Sequence, residues 1–524
     1  QVVNALVLPG GARAARCCSH VLAMRLQCST IRVALADSFH FGRRTLTRHF
    51  GAHSEAEKQV DVGERMESPS AAQMSIRGVL GRLDDRDLQV QSGLLMGLFG
   101  QSLHQYSMFG KIGVEDKAAV VRQAQAEPLM DKAMGCMCGM AVADGLGHMF
   151  EFLPAIDEPN PMGPYYDLKE DAFHLIHNAF NLKRGQWTDD CSMGLCIADS
   201  LILRRKFDGS DQRVRFWSWW FAGYNNAFRK EVKRSQSVGL GGNISRSLMS
   251  LKAGVQPSPR FESQTEDAGN GSIMRLAAVP IFFRTASKEH LFDVARQSSY
   301  TTHPGIIAAE ACCLLAHIIV QAMEVHAEPV PDARSFIDAS CKAYLEQLGD
   351  RRGWGCDQMR QLASSEPERD TEACWNWRSY PLPIQQTLRA RGDSYNGYPV
   401  SAGYFGSYAP DALAVALHCV YHNKSFESTV AHCINLLGDA DSTGAVAGQI
   451  AGALYGYSRI PQRWRSDLES WDDYEVPLRG ALLAALAPDP TAFPGPGASA
   501  AESRGDTPPK RTWWLGCGCP SKKK

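Results

Sequence analysis

Two short stretches of this sequence each set a pair of aspartates beside hydroxyl side chains. In "GQWTDDCSMG" (185–194), Thr188 precedes Asp189 and Asp190; in "LLGDADSTGAV" (436–446), Asp439 and Asp441 precede Ser442 and Thr443. Both clusters stand at a turn before an apolar run of helical spacing. One carboxylate at a helix start is accounted for by capping. A second adds like-charge repulsion and desolvation cost unless a cation neutralises it. Oxygen-only donor sets select hard cations such as Mg²⁺, Mn²⁺ or Ca²⁺ over zinc. If the clusters meet in space, they form a carboxylate-bridged two-metal site able to orient a water or a substrate diol. The alternative is that they only start two helices, with Asp441, Ser442 or Thr443 capping the second.

Other residues carry weaker signals. The turn 269–275, with Gly269 and Gly271 flanking Asn270 and followed by Ser272 and Met274, would let backbone N–H groups approach a pyrophosphate or serve as a plain tight turn. Arg275 would pair with a phosphate or snorkel to the surface. His303, before Pro304, reads as a structural or capping histidine, with a catalytic base as the rival reading. "FWSWWFAGY" (216–224) has the aromatic density of a core, with adenine stacking as the rival reading, and Tyr404, Phe405 and Tyr408 suit an aromatic wall.

The elements that must position these residues are helical. "SMGLCIADSLILRRK" (192–206) ends in the basic residues that suit a helix C-terminus. "PGIIAAEACCLLAHIIVQAM" (304–323) is apolar all round, as in a helix buried on every side. Gly444, Gly448, Gly452 and Gly456 repeat four apart. Each costs about 1 kcal/mol relative to alanine in a helix, so another backbone is expected to pack against them. Strand patterns are scarce. The expected fold is all-α, one compact domain over 126–480 with a polar insertion at about 346–400, preceded by two accessory helices within 70–125. Residues 1–69 read as a leader: their first fifty hold seven arginines and one acid, as in an organelle transit peptide or a disordered segment. Residues 481–524 read as a disordered tail.

Composition narrows the class. Apolar residues make up 44% and charged residues 21% of 524, and the net charge of −1 gives no footprint for a nucleic-acid partner. The 16 cysteines lack zinc-finger spacing, which fits a reduced intracellular compartment, cytoplasmic or organellar. No apolar stretch is read as approaching the roughly 18–20 residues of a membrane span.

Six segments in order, "GCMCGMAVADGLGHMFEF" (135–152), "GQWTDDCSM" (185–193), "GLGGNISRSLMSLKAG" (239–254), "AGNGSIMRLAAVPIFF" (268–283), "TTHPG" (301–305) and "NLLGDADSTGAVAGQIAGALYG" (435–456), resemble the ADP-ribosylglycohydrolase family, of the dinitrogenase-reductase-activating and ADP-ribosyl-acceptor hydrolase type. The resemblance implies a compact orthogonal helical domain that binds two Mg²⁺ or Mn²⁺ ions. It implies cleavage of the bond between ribose C1″ of ADP-ribose and an acceptor, arginine favoured, on an ADP-ribosylated protein or small molecule, by a monomer. Carried over, Thr188, Asp189, Asp190, Asp439, Asp441 and Ser442 would ligate metal, and Glu151, Asp189 or Asp439 would serve as general base. Gly269, Asn270, Gly271, Ser272, Met274 and His303 would line the ADP-ribose pocket, with Tyr408 on the aromatic wall. The chain departs from the family in having Leu437-Gly438 where two glycines are usual, Ala143-Asp144 for Gly-Asp, and Ser442 for threonine. A catalytically inactive descendant is one alternative. A phosphatase of DxDx[ST] type is another, and would need parallel strands and a downstream lysine, absent until Lys510.

Overall fold

The computed structural model describes residues 70–83 and 102–488, apart from 253–254, 264, 267, 326–331, 354, 397 and 401–402. The expected leader, and all of the expected tail beyond residue 488, lie outside the described residues. What is described is all-α: six helices organise the site, namely α1 (Pro128–Gly147), α2 (Asp189–Arg204), α3 (Ile306–Glu324), α4 (Ala409–Tyr421), α5 (Ala440–Tyr455) and α6 (Glu475–Ala485). Among the described residues, strands occur only as two antiparallel hairpins, Tyr165–Asp167 with Ala172–His174 and Ser394–Tyr395 with Tyr398–Pro399. Asp439 follows a helix and a turn rather than a parallel strand, so the phosphatase reading fails.

The pairing of α1 with α5 is the largest helix contact, and glycine makes it possible. A methyl on Gly139 would lie 2.0 Å from the Gly448 carbonyl oxygen, and one on Gly135 2.3 Å from that of Gly452. Further along, Gly147 sits against Ala440, whose carbonyl oxygen would be 2.3 Å from an added Cβ. The two main chains therefore touch with no side chain between them. Pro128 opens α1 at a position where its missing N–H is not needed.

α3 is buried on nearly every side, as its apolar composition predicts, but it departs from the expectation that no stretch approaches span length. Its 19 residues, with mean hydropathy 2.0, do have the length and composition of a membrane span, but 89% of that stretch is buried inside the protein. The aromatic run 216–224 is core as well: Phe216, Trp219 and Tyr224 are fully buried. Residues 346–400 are more than a polar insertion. They contain the helices Cys356–Ser364 and Ile384–Arg391 and bury Met359, Leu362, Trp375 and Trp377. Helices Ala71–Leu80 and Val114–Gln125 pack on each other and on α6. α6 itself runs to Ala485 with Ala481, Leu482 and Leu483 buried, so the ordered chain passes the expected boundary at 480 because its apolar face is needed against α1.

Gly448→Ala should destabilise the protein by about 2–3 kcal/mol in urea or thermal unfolding, since the helices must separate to admit the methyl. Gly78→Ala, in a helix and with nothing within 4 Å of the added Cβ, should be neutral or stabilise by about 0.5–1 kcal/mol.

Candidate active site

Thr188 stands at the N-cap of α2 and Asp439 at the N-cap of α5, yet neither side chain makes a capping bond. Asp441, Ser442 and Thr443 lie inside α5. The reading of these residues as caps is therefore overturned for both helices. α2 is capped by a residue of another helix. Asp144 on α1 accepts from the Thr188 and Cys191 N–H groups, each at 2.9 Å, and from Thr188 Oγ1 at 2.9 Å. The Thr188 hydroxyl then lies 3.2 Å from Asp190 Oδ2 and 3.4 Å from Asp441 Oδ2. The two acidic clusters, some 250 residues apart along the chain, thus meet.

Glu151 is tied in by the main chain. Just past α1, Phe152 N–H donates to the Gly438 carbonyl at 3.1 Å and Gly438 N–H donates to that of Leu153 at 3.0 Å. This short antiparallel bridge needs Gly438 at φ +72° and sets Leu437 at φ +62°, a left-handed value that an L side chain adopts with strain. Leucine occupies one of the two places where the family pattern has glycine. As a result, oxygens of Asp144, Asp190 and Asp441 lie within 4.8 Å of one another, and so do oxygens of Glu151, Asp439 and Asp441. Asp441 belongs to both groups.

The remaining predicted residues divide by depth. Glu151, Asp189, Asp439, Asp441 and Ser442 reach a cavity of about 880 Å³, together with Gly269, Asn270, Gly271, Met274, His303 and Tyr408. Thr188, Asp190 and Ser272 are buried beneath it. The Asp189 carboxylate belongs to neither three-acid group. Its Oδ1 lies 2.1 Å from where a Cβ on Gly239 would stand, so glycine at φ +89° makes room for it. Asn270 donates to Asp439 Oδ2 at 2.9 Å and to the Gly406 carbonyl at 3.0 Å. Ser442 Oγ lies 3.6 Å from Met274 Sδ.

Both sequence readings of Arg275 fail. It is fully buried, with its guanidinium on Thr301 and Thr302 hydroxyls at 3.2 and 2.6 Å and 4.4 Å from the Phe216 ring. Burial pushes it down to about 10. Because Arg275 only donates, the Thr302 hydroxyl accepts from it and is free to donate to His303 Nδ1 at 2.8 Å. With Thr302 as that donor, His303 Nε2, 3.3 Å from the Cβ position of Gly269 and 3.1 Å from that of Gly271, would carry the ring proton. Burial, with Arg275 and Arg246, lowers His303 to about 3, so the ring is neutral.

The carboxylates are pushed the other way. Burial and then Asp441 raise Asp144 to about 7; burial and then Asp190 raise Asp441 to about 6. Asp189, Asp190 and Asp439 rise well above the ordinary range, from burial first and neighbouring aspartates next, and Glu151 is raised in the same way by burial and then Asp441. Asp190 Oδ1 and Glu151 Oε2 are buried with no hydrogen-bond partner. An all-oxygen, carboxylate-rich, partly unsatisfied pocket could hold a metal ion.

The sequence profile of ADP-ribosylglycohydrolase matches residues 125–491. The chain belongs to the ADP-ribosylglycohydrolase family. Its relatives are hydrolases of the bond to ADP-ribose. It is 29% identical to the ADP-ribosylarginine hydrolase Tri1 of Pseudomonas putida (strain GB-1), over 64% of this chain and 74% of that protein. It is 26% identical to the ADP-ribosyl-[dinitrogen reductase] glycohydrolase of Rhodospirillum rubrum, over 68% and 97%. The identity to ADP-ribosylhydrolase ARH3 of Gallus gallus is 24%, over 68% and 93%.

In this chain, the main residue that sequence reasoning left without a role is Asp144. Its motif acid was legible in "AVADGLG", but nothing local indicates that it caps a helix starting 45 residues later. Tyr404 hydrogen-bonds Asp439, and Arg391, salt-bridged to Asp411, lines the far wall; neither contact has a sequence signature.

Raised carboxylates bind more protons in the folded than in the unfolded chain, so their contribution to stability is lost as pH rises through the folded values. In chelator, denaturant titrations should show the protein losing stability between about pH 4 and 7 relative to Asp441→Asn, by the order of 3 kcal/mol for this group. Millimolar Mg²⁺ should abolish that difference in slope.

Proposed function

We propose that this chain removes ADP-ribose from an acceptor, arginine before serine or a nucleotide, by hydrolysis at ribose C1″ in a site that holds two Mg²⁺ or Mn²⁺ ions. The observation that carries the reading is the pair of three-carboxylate groups sharing Asp441 at the floor of an 880 Å³ cavity. Asp144, Asp190 and Asp441 with the Thr188 hydroxyl would hold one ion; Glu151, Asp439 and Asp441 would hold the other, with Asp189 and Ser442 beside them. The partnerless Asp190 Oδ1 fits that occupancy. Bound there, the ions would neutralise the carboxylates and polarise the ribose hydroxyls or a water.

The chain's own residues account for the rest. Gly269 and Gly271 allow the ligand close to the backbone of their turn, and the neutral His303 offers its Nε2 proton to a pyrophosphate oxygen without adding a charge that titrates near neutrality. Thr302 fixes that tautomer and Arg275 fixes Thr302. Asn270 and Tyr404 orient Asp439 against the distal ribose. Departure of the acceptor builds positive charge at C1″, which the surrounding carboxylates stabilise. Glu151, on the cavity wall with an unpartnered oxygen, takes the proton of the attacking water. The products are ADP-ribose and the free acceptor. The arginine preference draws on the relatives Tri1, named for ADP-ribosylarginine, whose Pseudomonas protein is 29% identical.

Full-length protein with Mg²⁺ or Mn²⁺ should release ADP-ribose from an ADP-ribosyl-arginine peptide, and Asp441→Asn should lose about 10³-fold in kcat/KM with its circular dichroism unchanged. Turnover that survives both chelation and Asp441→Asn would overturn the proposal.

A further inference from the structure

Phe152 follows Glu151 directly and leaves 48% of its surface exposed. Its backbone sits at φ +69°, a strained setting for a side chain of this size, and the bridge to Gly438 holds it there. The ring stacks on Tyr404 at 5.8 Å and 27° and meets the edge of Phe180 at 6.0 Å and 70°. All three rings line the cavity. Tyr404 in turn bonds Asp439 through its hydroxyl, so this aromatic shelf borders the carboxylates.

The substrate is a linear molecule, running from adenine through a ribose, the pyrophosphate and a second ribose to the acceptor. The cavity has a matching order. Gly269 pairs with Tyr408 through a backbone bridge, and Tyr408 stands edge-on to Tyr395 at 5.6 Å. That second aromatic pair therefore adjoins the turn suited to the pyrophosphate and, in the proposed pose, would take the adenine. The carboxylates come next, at the scissile ribose, and the Phe152 shelf lies beside them. It is left for the acceptor.

We infer that Phe152, with Phe180 and Tyr404, reads the acceptor by stacking the planar, cationic guanidinium of an ADP-ribosylated arginine. A guanidinium is weakly hydrated, is attracted to an aromatic face and is drawn to nearby carboxylates. A serine-linked acceptor offers neither a plane nor a charge at that position. The inference rests on the ADP-ribosyl hydrolase reading and names the residue that sets its acceptor class.

The test compares kcat/KM of the full chain on an ADP-ribosyl-arginine peptide and on an ADP-ribosyl-serine peptide, with inhibition by free ADP-ribose as the control for the other subsites. Phe152→Ala and Phe152→Leu should each lose about tenfold on the arginine linkage, chiefly through KM, and Phe152→Tyr should restore it. Turnover of the serine linkage and the inhibition constant of ADP-ribose should stay unchanged in all three variants. Equal losses on both linkages, full activity of Phe152→Leu on the arginine linkage, or weakened ADP-ribose binding would each overturn the inference while leaving the hydrolase reading intact. If the unsubstituted chain releases ADP-ribose from neither peptide, both fall together.

Discussion

Where α1 crosses α5, two main chains touch without a side chain between them, and the position of each candidate site oxygen follows from that contact. Gly139 against Gly448 and Gly135 against Gly452 bring the axes together, and Gly147 against Ala440 continues the approach to the helix ends. Asp144 and Asp441 flank that last contact, one on each helix. From α1 the chain passes directly into Glu151 and then pairs with Gly438, immediately before Asp439. Asp144 recruits the third element by capping α2, which carries Thr188, Asp189 and Asp190 with it. Glycines that each weaken a helix by about 1 kcal/mol are thus retained because a methyl at the crossing would move carboxylates as well as helices.

The electrostatics of the assembled site are unlike those of the remaining core. Elsewhere several buried acids have an arginine: Asp199 has Arg479, Asp211 has Arg215, Asp411 has Arg391, and Glu475 has Arg229, while Asp131 and Asp472 accept from neighbouring hydroxyl or backbone N–H groups instead. Among the described residues, no such ion pair reaches Asp144, Glu151, Asp189, Asp190, Asp439 or Asp441. The positive ends of α2 and α5 help, but a helix N-terminus contributes only about 0.3–1 kcal/mol to an exposed anion and up to about 2 kcal/mol in a partly buried setting. Arg275 lies buried nearby and bonds hydroxyls instead. A carboxylate cluster left this way has its protons held tightly, and its natural counter-charge is a small divalent cation, the proposed occupant.

Much of this was legible in the sequence, and the pattern of what was not is physical. Helical periodicity and the glycine repeat of 444–456 were enough to anticipate an all-α fold with a backbone packed against α5, and the paired aspartates were recognisable because like charges side by side require a reason. The role of Asp144 was hidden, since capping a helix of another segment depends on tertiary approach and leaves no local signal. Arg275 misled for a related reason: its burial is set by Thr301, Thr302 and Phe216, all remote in sequence. The burial of α3 was legible, whereas its likeness to a membrane span was not, because Glu310, His317 and Gln321 interrupt the apolar run without lowering its mean hydropathy below that of a span. The shelf around Phe152 arises from a loop pairing with Gly438 that periodicity cannot report.

One crossing of two helices assembles carboxylates into two adjoining candidate cation sites. Diffraction from crystals of the full chain grown with Mn²⁺, collected at the manganese absorption edge, tests it directly. Two anomalous peaks are expected in each molecule on either side of Asp441, one against Asp144 and Asp190 and one against Glu151 and Asp439. Ordered carboxylates without any peak between them, or manganese bound only elsewhere, would contradict it.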